Sequence, residues 1–415
     1  MARVMKDSGI EWIGKIPENW QIGRIGQLYT ERREKVSDTE YQPLSVTMKG
    51  VLPQLSTAAK TDAHDDRKLV RIGDFAINSR SDRRGSCGIS PYEGSVSLIN
   101  TILMPRNEMH SIYYNWLFHS SMFSDEFYKW GHGIVNDLWT TNWQDMKRIA
   151  VPMPPYEEQT RIADFLDVEC ARIDAVIDQT RATIEEYKKL KQSVITQAVT
   201  KGIRPGRKMK DSGVEWIDSI PEEWSMERGK GLFIEVDNRS EDGIEELLTV
   251  SQYTGITPRS QKNVNMFEAE TLEGYKICEI GDIAANTMWL WAGAIGVSNY
   301  RGVISPSYNI YRQKGENYDS TYLDFLLRAA PLVQHYESLS SGIRASRLRL
   351  YPQQFLSIRY PVPPMSEQKE IVSYLKEKID DIDSLIQKKG QYLAEIESYK
   401  KSFIFEYVTG KKEVI

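Results

Sequence analysis

The chain says nearly the same thing twice, and that duplication limits its folds more than any other feature. MKDSGIEWIGKIPENW, from Met5 to Trp20, returns as MKDSGVEWIDSIPEEW from Met209 to Trp224, with twelve identities in sixteen positions. PMPPYEEQTRIADFL from Pro152 returns as PVPPMSEQKEIVSYL from Pro361. Between these blocks IGDFAIN at Ile72 answers IGDIAAN at Ile280, and GSCGIS at Gly85 answers GAIGVS at Gly293. A period of roughly 205 residues is a duplicated domain rather than a solenoid. A chain built this way is a pseudo-dimer, and it should meet something with approximate two-fold symmetry.

Two units of this length can each bury a core. With 40% hydrophobic and 27% charged residues, the chain has a globular composition. No apolar run is long enough to span a bilayer, and no signal-peptide pattern opens the chain. Cys87, Cys170 and Cys278 are too few for a disulfide framework and lack metal-ligand spacing, so a reducing cytoplasm is the expected location. The net charge of −5 does not advertise nucleic acid as a ligand. A nucleic-acid site would need a local positive field.

Each unit ends in a helix. From Tyr156 to Lys201 there is neither Pro nor Gly. Glu157 and Glu158 occupy the expected first turn, where they suit the helix dipole, and Lys188, Lys189 and Lys191 lie toward the far end. Ile173, Ile177, Thr180, Ile184, Tyr187, Val194 and Ala198 recur in steps of four and three, with Lys191 as the one break. Ile382, Ile386, Leu393, Ile396, Phe403 and Tyr407 repeat that seam, with Lys389 and Lys400 interrupting. The helices could simply pack on their own globular regions, but the heptad favours a coiled coil between them. Phe165, Val176, Leu190, Tyr374, Leu385 and Tyr399 widen the stripe enough to leave apolar surface for a partner. Two-fold symmetry across the pair makes it antiparallel. The end of the second helix near Gly410 then returns to the start of the chain near Met5, which makes the topology almost circular.

The globular regions read as mixed α/β. Tyr41–Met48, Leu69–Asn78 and Ser97–Met104 are expected strands, answered by Glu246–Tyr253, Tyr275–Asn286 and Val303–Arg312. Helical stretches begin near Tyr113 and Tyr322. The fold class expected is α+β, in two tandem pseudo-symmetric units. The segments are residues 1–155 and 205–363, each followed by a long helix within 156–204 and 364–415. Frameworks agree between the units, whereas segments such as Leu52–His64 and Thr257–Glu270 share little.

The repeated MKDSGxEW…IPExW opening, the PPxxEQ block running into a long helix, and their duplication over essentially the whole chain resemble the specificity subunit of Type I restriction-modification systems. The resemblance implies that each globular unit is a target recognition domain and that each domain binds one half of a bipartite DNA site. It implies that the helices are spacers that dock two modification and two restriction subunits. S-adenosylmethionine would then belong to the modification subunits, and ATP and Mg to the restriction subunits, leaving this chain non-catalytic and without a cofactor. A related system that cuts on both sides of its site, and a coiled-coil scaffold that does not read DNA, are the alternatives. The chain has no P-loop with GK[ST]. Met153-Pro-Pro-Tyr156 looks like the Asn/Asp-Pro-Pro-Tyr loop of amino-methyltransferases, but Met153 cannot accept a hydrogen bond from a target amine. It reads instead as a helix start. The five His residues are scattered.

DNA contacts are then expected from loops. Arg80, Arg83 and Arg84 share a turn with Asp82; Arg suits guanine edges and phosphates, and a solvated turn with an internal salt bridge is the plainer reading. The matching segment in the second unit carries Trp289 and Trp291, which fit a core position or a groove-shaping surface, the core being preferred. Arg344, Arg347 and Arg349 are the basic counterparts of the segment holding Asn136 and Trp139. Asn136 and Asn142 could read adenine or simply satisfy backbone. From Lys188 to Lys210 there are eight Lys or Arg and no acid, a candidate phosphate-contacting stretch.

Overall fold

A computed structural model describes residues 3–54, 65–106, 109–133, 139–262, 271–342 and 348–414. It resolves into two compact units, Met1–Arg181 with Gln391–Ile415, and Ala182–Gly390. The border falls inside both long helices, Tyr156–Lys201 and Met365–Val408. Each unit therefore holds one globular region, one part of the first helix and one part of the second.

In the first unit, Gln21–Arg24 pairs antiparallel with Ala150–Met153, the last strand before the helix, with Val151 opposite Gly23. The main sheet has four antiparallel strands in the order Cys87–Ile89, Phe75–Asn78, Asn100–Pro105 and Tyr29–Glu31. A second sheet holds Gly94–Ser97, Arg67–Val70 and Lys35–Val36, and a hairpin joins Leu44–Thr47 to Gly50–Pro53. The stretch expected as one strand over Leu69–Asn78 is therefore two strands in different sheets. Gly73, at φ +87°, turns the chain between them. Asp74 holds that turn by accepting from the Arg71 amide at 2.9 Å and from Arg32 at 2.7 and 3.1 Å.

The second unit repeats this plan. Phe233–Val236, Asn309–Gln313, Ile283–Ala285 and Ile295–Val297 form its main sheet in that order. The expected strand Tyr275–Asn286 divides in the same way, into Lys276–Cys278 and Ile283–Ala285. Gly281 takes φ +89°, and the buried Asp282 binds Arg312 at 2.7 and 2.8 Å. The expected strand Val303–Arg312 is likewise two, Gly302–Ile304 and Asn309–Gln313. The IGD repeat is thus the signature of a sheet-switching turn with a carboxylate latch.

Both long helices close each core. In the first unit Ile162, Ala163 and Leu166 from the first helix and Phe403, Ile404 and Val408 from the second pack with Trp20, Tyr113, Phe118 and Phe123. In the second unit Ile195 and Val199 join Ile371 and Leu375 around Trp224, Tyr322 and Phe355. A fully buried Leu, Ile or Phe side chain contributes roughly 1.5–3 kcal/mol, so packing anchors these helix ends. The end of the second helix docks on the first unit, where Tyr113 donates its hydroxyl to the Val408 carbonyl at 2.7 Å. In the second unit Tyr322 does the same to Val199 at 2.9 Å.

Within each unit the two helices run antiparallel. In the first unit the Phe165 ring meets Tyr407 at 4.8 Å, Asp174 binds Lys400 at 2.6 Å and Arg181 binds Glu397 at 2.6 Å, one number rising as the other falls. In the second, Lys191 binds Asp383 at 2.7 Å, and beyond the helix end Arg204 binds Glu370 at 2.8 Å. Lys191 and Lys400, two of the lysines that break the apolar seam, thus reach acids on the facing helix. Along the seam Ile177, Thr180, Ile382 and Phe403 are buried, and Ile173, Ile184, Tyr187, Val194, Ile386, Leu393 and Ile396 are partly buried.

The PPxxEQ block explains itself in this frame. Gln159 donates to the Pro154 carbonyl at 2.8 Å and accepts the His110 amide at 2.9 Å. Gln368 makes the equivalent bonds to the Pro363 carbonyl and the Asp319 amide. Each Gln fixes the helix start to the loop before the globular helices. Glu158 is buried and accepts from Trp20, so its role extends beyond compensating the helix dipole. Among the described residues no helix is long and apolar enough to cross a membrane.

Candidate nucleic-acid interface

Each unit carries an open cleft at the same topological place. Its walls are the hairpin, the Asn that ends the IGD strand, the short turn after that Asn, and the turn leading into the long central strand. In the first unit the cleft is about 560 Å³, and the turn contributes Asp82, Arg83 and Arg84. Asn78 and Asn100, opposite one another in register, lie beside them with Gln54 and Thr47. In the second unit the cleft is about 650 Å³, and Met288 and Trp289 stand where the arginines stood. Asn286 is kept; Tyr253, Tyr275, Tyr308, Arg259 and Lys262 complete the lining.

The first cleft is polar and cationic. Arg80 lies 3.0 Å from Asp82, Arg83 lies 3.8 Å from the same carboxylate, and Arg84 binds Asp125 at 2.9 Å while its guanidinium stands 5.4 Å from the Tyr128 ring centre. The internal pair expected in this turn is therefore present. Exposed pairs of this kind contribute about 0–1 kcal/mol, so Arg83 and Arg84 can exchange a carboxylate for a phosphate or a base edge at little cost. Asn100 donates to the Ser97 carbonyl at 3.0 Å, and its Oδ1 is buried without a hydrogen-bond partner among the described residues. A buried unpaired acceptor is costly and calls for an explanation.

The second cleft is aromatic. Trp289 is 50% exposed and stacks on Trp291 with ring centres 5.7 Å apart and 26° between planes. The core position preferred from sequence for these two residues is not what is found. Leu290, between them, takes the core position. The tryptophan shelf is braced: Trp291 donates its indole N–H to the Met288 carbonyl at 2.9 Å, and Asn286 donates to the Tyr308 hydroxyl at 2.8 Å. Burial lowers the Lys262 pKa and raises that of Tyr308.

The other expected contact residues are less gathered. Trp139 sits beside the arginine turn, its carbonyl accepting the Ser81 amide at 2.9 Å. Asn142 does not line the cleft. It caps a short helix, its Oδ1 accepting the Gln144 and Asp145 amides at 2.8 and 3.2 Å, which is the backbone role its turn allowed. Arg349 is exposed at the base of its loop, where its backbone pairs with Ser341. Asn136, Arg344 and Arg347 lie outside the described residues. In the basic stretch from Lys188 to Lys210, four of the eight cations pair with acids: Lys188 binds Glu185, Lys191 binds Asp383, Arg204 binds Glu370, and Arg207 binds Glu223 and Glu367. Asn78, Asn100, Gln54, Tyr253, Tyr308, Arg259 and Lys262 were not singled out from sequence, though the Asn closing each IGD repeat was a visible signal.

No family model matches the chain. It is 24% identical over 425 residues to the Type I restriction enzyme MjaVIII specificity subunit of Methanocaldococcus jannaschii, covering 96% of this chain and 94% of that one. Its fold is similar to a chain solved in work on the assembly and conformational transition of the type I restriction-modification system (TM-score 0.68, 13% identity, 96% and 99% covered). It is also similar to the HsdS subunit from Thermoanaerobacter tengcongensis (TM-score 0.50, 16% identity, 96% and 98% covered). The chain is thus similar along nearly its whole length to a specificity subunit of a Type I restriction enzyme, and it shares the α+β fold of the solved chains.

Proposed function

We propose that the chain is the non-catalytic, sequence-specific DNA-recognition subunit of such a complex, reading a bipartite, asymmetric site with one unit per half-site. One observation carries this reading: two clefts at equivalent places in duplicated frameworks, lined by unlike side chains. A shared scaffold with divergent linings suits one ligand class read as two different sequences.

The helices are the docking elements for modification and restriction subunits. Val176, Tyr392 and Tyr399 in the first unit, and Leu190 and Leu385 in the second, are exposed apolar residues. All five take the heptad position immediately before an a residue, which puts them on the flank of the seam. A flank of this kind suits helices of a partner. Methyl transfer from S-adenosylmethionine, and ATP- and Mg-dependent steps, reside on those partners.

Selection of duplexes from a randomised pool by the full-length chain tests the reading. Two short enriched blocks with a fixed unread gap are expected. A single block, or none, contradicts it.

A further inference from the structure

The two clefts differ in chemistry as well as in shape. In the first, the turn after Asn78 presents Arg83 and Arg84, whose guanidiniums pair with the exposed carboxylates Asp82 and Asp125. In the second, the turn after Asn286 presents Met288, 41% exposed, and the braced Trp289, with Tyr253 81% exposed across the opening. Large apolar surface turned toward water at the mouth of a cleft is unfavourable unless a ligand covers it. In a DNA major groove the one apolar group is the thymine 5-methyl, whereas the guanine O6 and N7 edge is the natural partner of an Arg fork.

We propose that the second unit reads thymine through the apolar shelf of Met288 and Trp289, and that the first unit reads guanine through Arg83 or Arg84. This rests on the DNA-reading function proposed above and names what each cleft selects. Arg259 and Lys262 flank the second cleft, where cations position the phosphate backbone without reading sequence. The two half-sites then differ in kind: one depends on a base-edge hydrogen bond and the other on a methyl contact.

The test uses the full-length chain and duplexes enriched from the randomised pool. The half read by the first unit is identified as the block whose sequence changes in the Arg83→Ala/Arg84→Ala variant. Deoxyuridine replaces thymine, or 7-deazaguanine replaces guanine, in one half at a time. Deoxyuridine in the second unit's half should weaken binding about fivefold or more, and the Met288→Ala/Trp289→Ala variant should no longer distinguish the two bases. In the first unit's half 7-deazaguanine should weaken binding by a similar factor, and the arginine variant should be indifferent to it. Indifference of the wild-type chain to deoxyuridine in the second half overturns the proposal, as does dependence of both halves on guanine N7, while leaving DNA reading intact. A pool without any enriched sequence overturns DNA reading and the proposal together. Circular dichroism of both double variants establishes that each remains folded.

Discussion

Trp224 donates its indole N–H to Glu367 at 3.1 Å across 143 residues of chain, and Trp20 makes the same bond to Glu158 at 2.8 Å. An Arg completes each set. Arg207 pairs with Glu367 and stands 5.8 Å from the Trp224 ring centre; Arg3 pairs with Glu158 and stands 5.4 Å from that of Trp20. These two triads explain why IPExW and PPxxEQ are the parts of the duplication that stay alike. One supplies the indole and the other the carboxylate that fixes the helix start. Removing Glu367 leaves the half-buried Arg207 paired with the exposed Glu223 and takes the acceptor from the buried Trp224 indole. Glu367→Ala should therefore destabilise the second unit by about 3 kcal/mol, read as a lowered thermal midpoint.

Acid should act on the same carboxylate. Burial opposes the charged form of Glu367, but the hydrogen bonds from Arg207 and Trp224 outweigh it and hold the pKa below the usual 4.5. A depressed carboxylate stabilises the fold fully above its unfolded pKa and loses that contribution as pH falls through the folded value. Melting curves should show the wild type losing stability below about pH 4.5 more steeply than Glu367→Gln. Parallel curves would contradict this.

Gly390 lies within the second long helix, and a Cβ built there meets nothing within 4 Å. Gly390→Ala should stabilise the helix by about 1 kcal/mol and raise the thermal midpoint.

The near-circular topology is visible in each unit. A Cβ on Gly410 would lie 2.6 Å from Pro17, and one on Gly202 would lie 3.4 Å from Trp224, so each helix end arrives where a globular region begins. Joining Ile415 to Met1 through a short linker and opening the chain between Gly202 and Pro205 should give a folded permutant. Circular dichroism and solubility check it, and loss of folding would count against this topology.

Val176→Ser with Leu385→Ser should change stability by less than about 0.5 kcal/mol, because both side chains are exposed. The same pair should lose copurification with the methyltransferase if the heptad flank is the docking surface. Retained copurification would move the partner elsewhere.

The long helices and their seam were legible because periodicity is a local signal, and Lys191, Lys389 and Lys400 were legible as breaks in it. That Lys191 and Lys400 bind Asp383 and Asp174 was not, since pairing depends on register between distant segments. The sheet-switching turns were missed for a related reason. Four residues around Gly73 or Gly281 barely interrupt an apolar run, yet they send its two ends into different sheets. The clefts lay further out of reach. Thr47, Asn78 and Asn100 meet only after three separate chain segments are folded together.

Methylation mapping in cells carrying the chain and the proposed methyltransferase partner tests the central claim, especially when residues 1–155 are exchanged for those of a relative. One-half readout by each unit predicts a bipartite methylated site in which the exchange alters one block and leaves the other unchanged. Sites altered in both blocks, or methylation indifferent to the exchange, would contradict it.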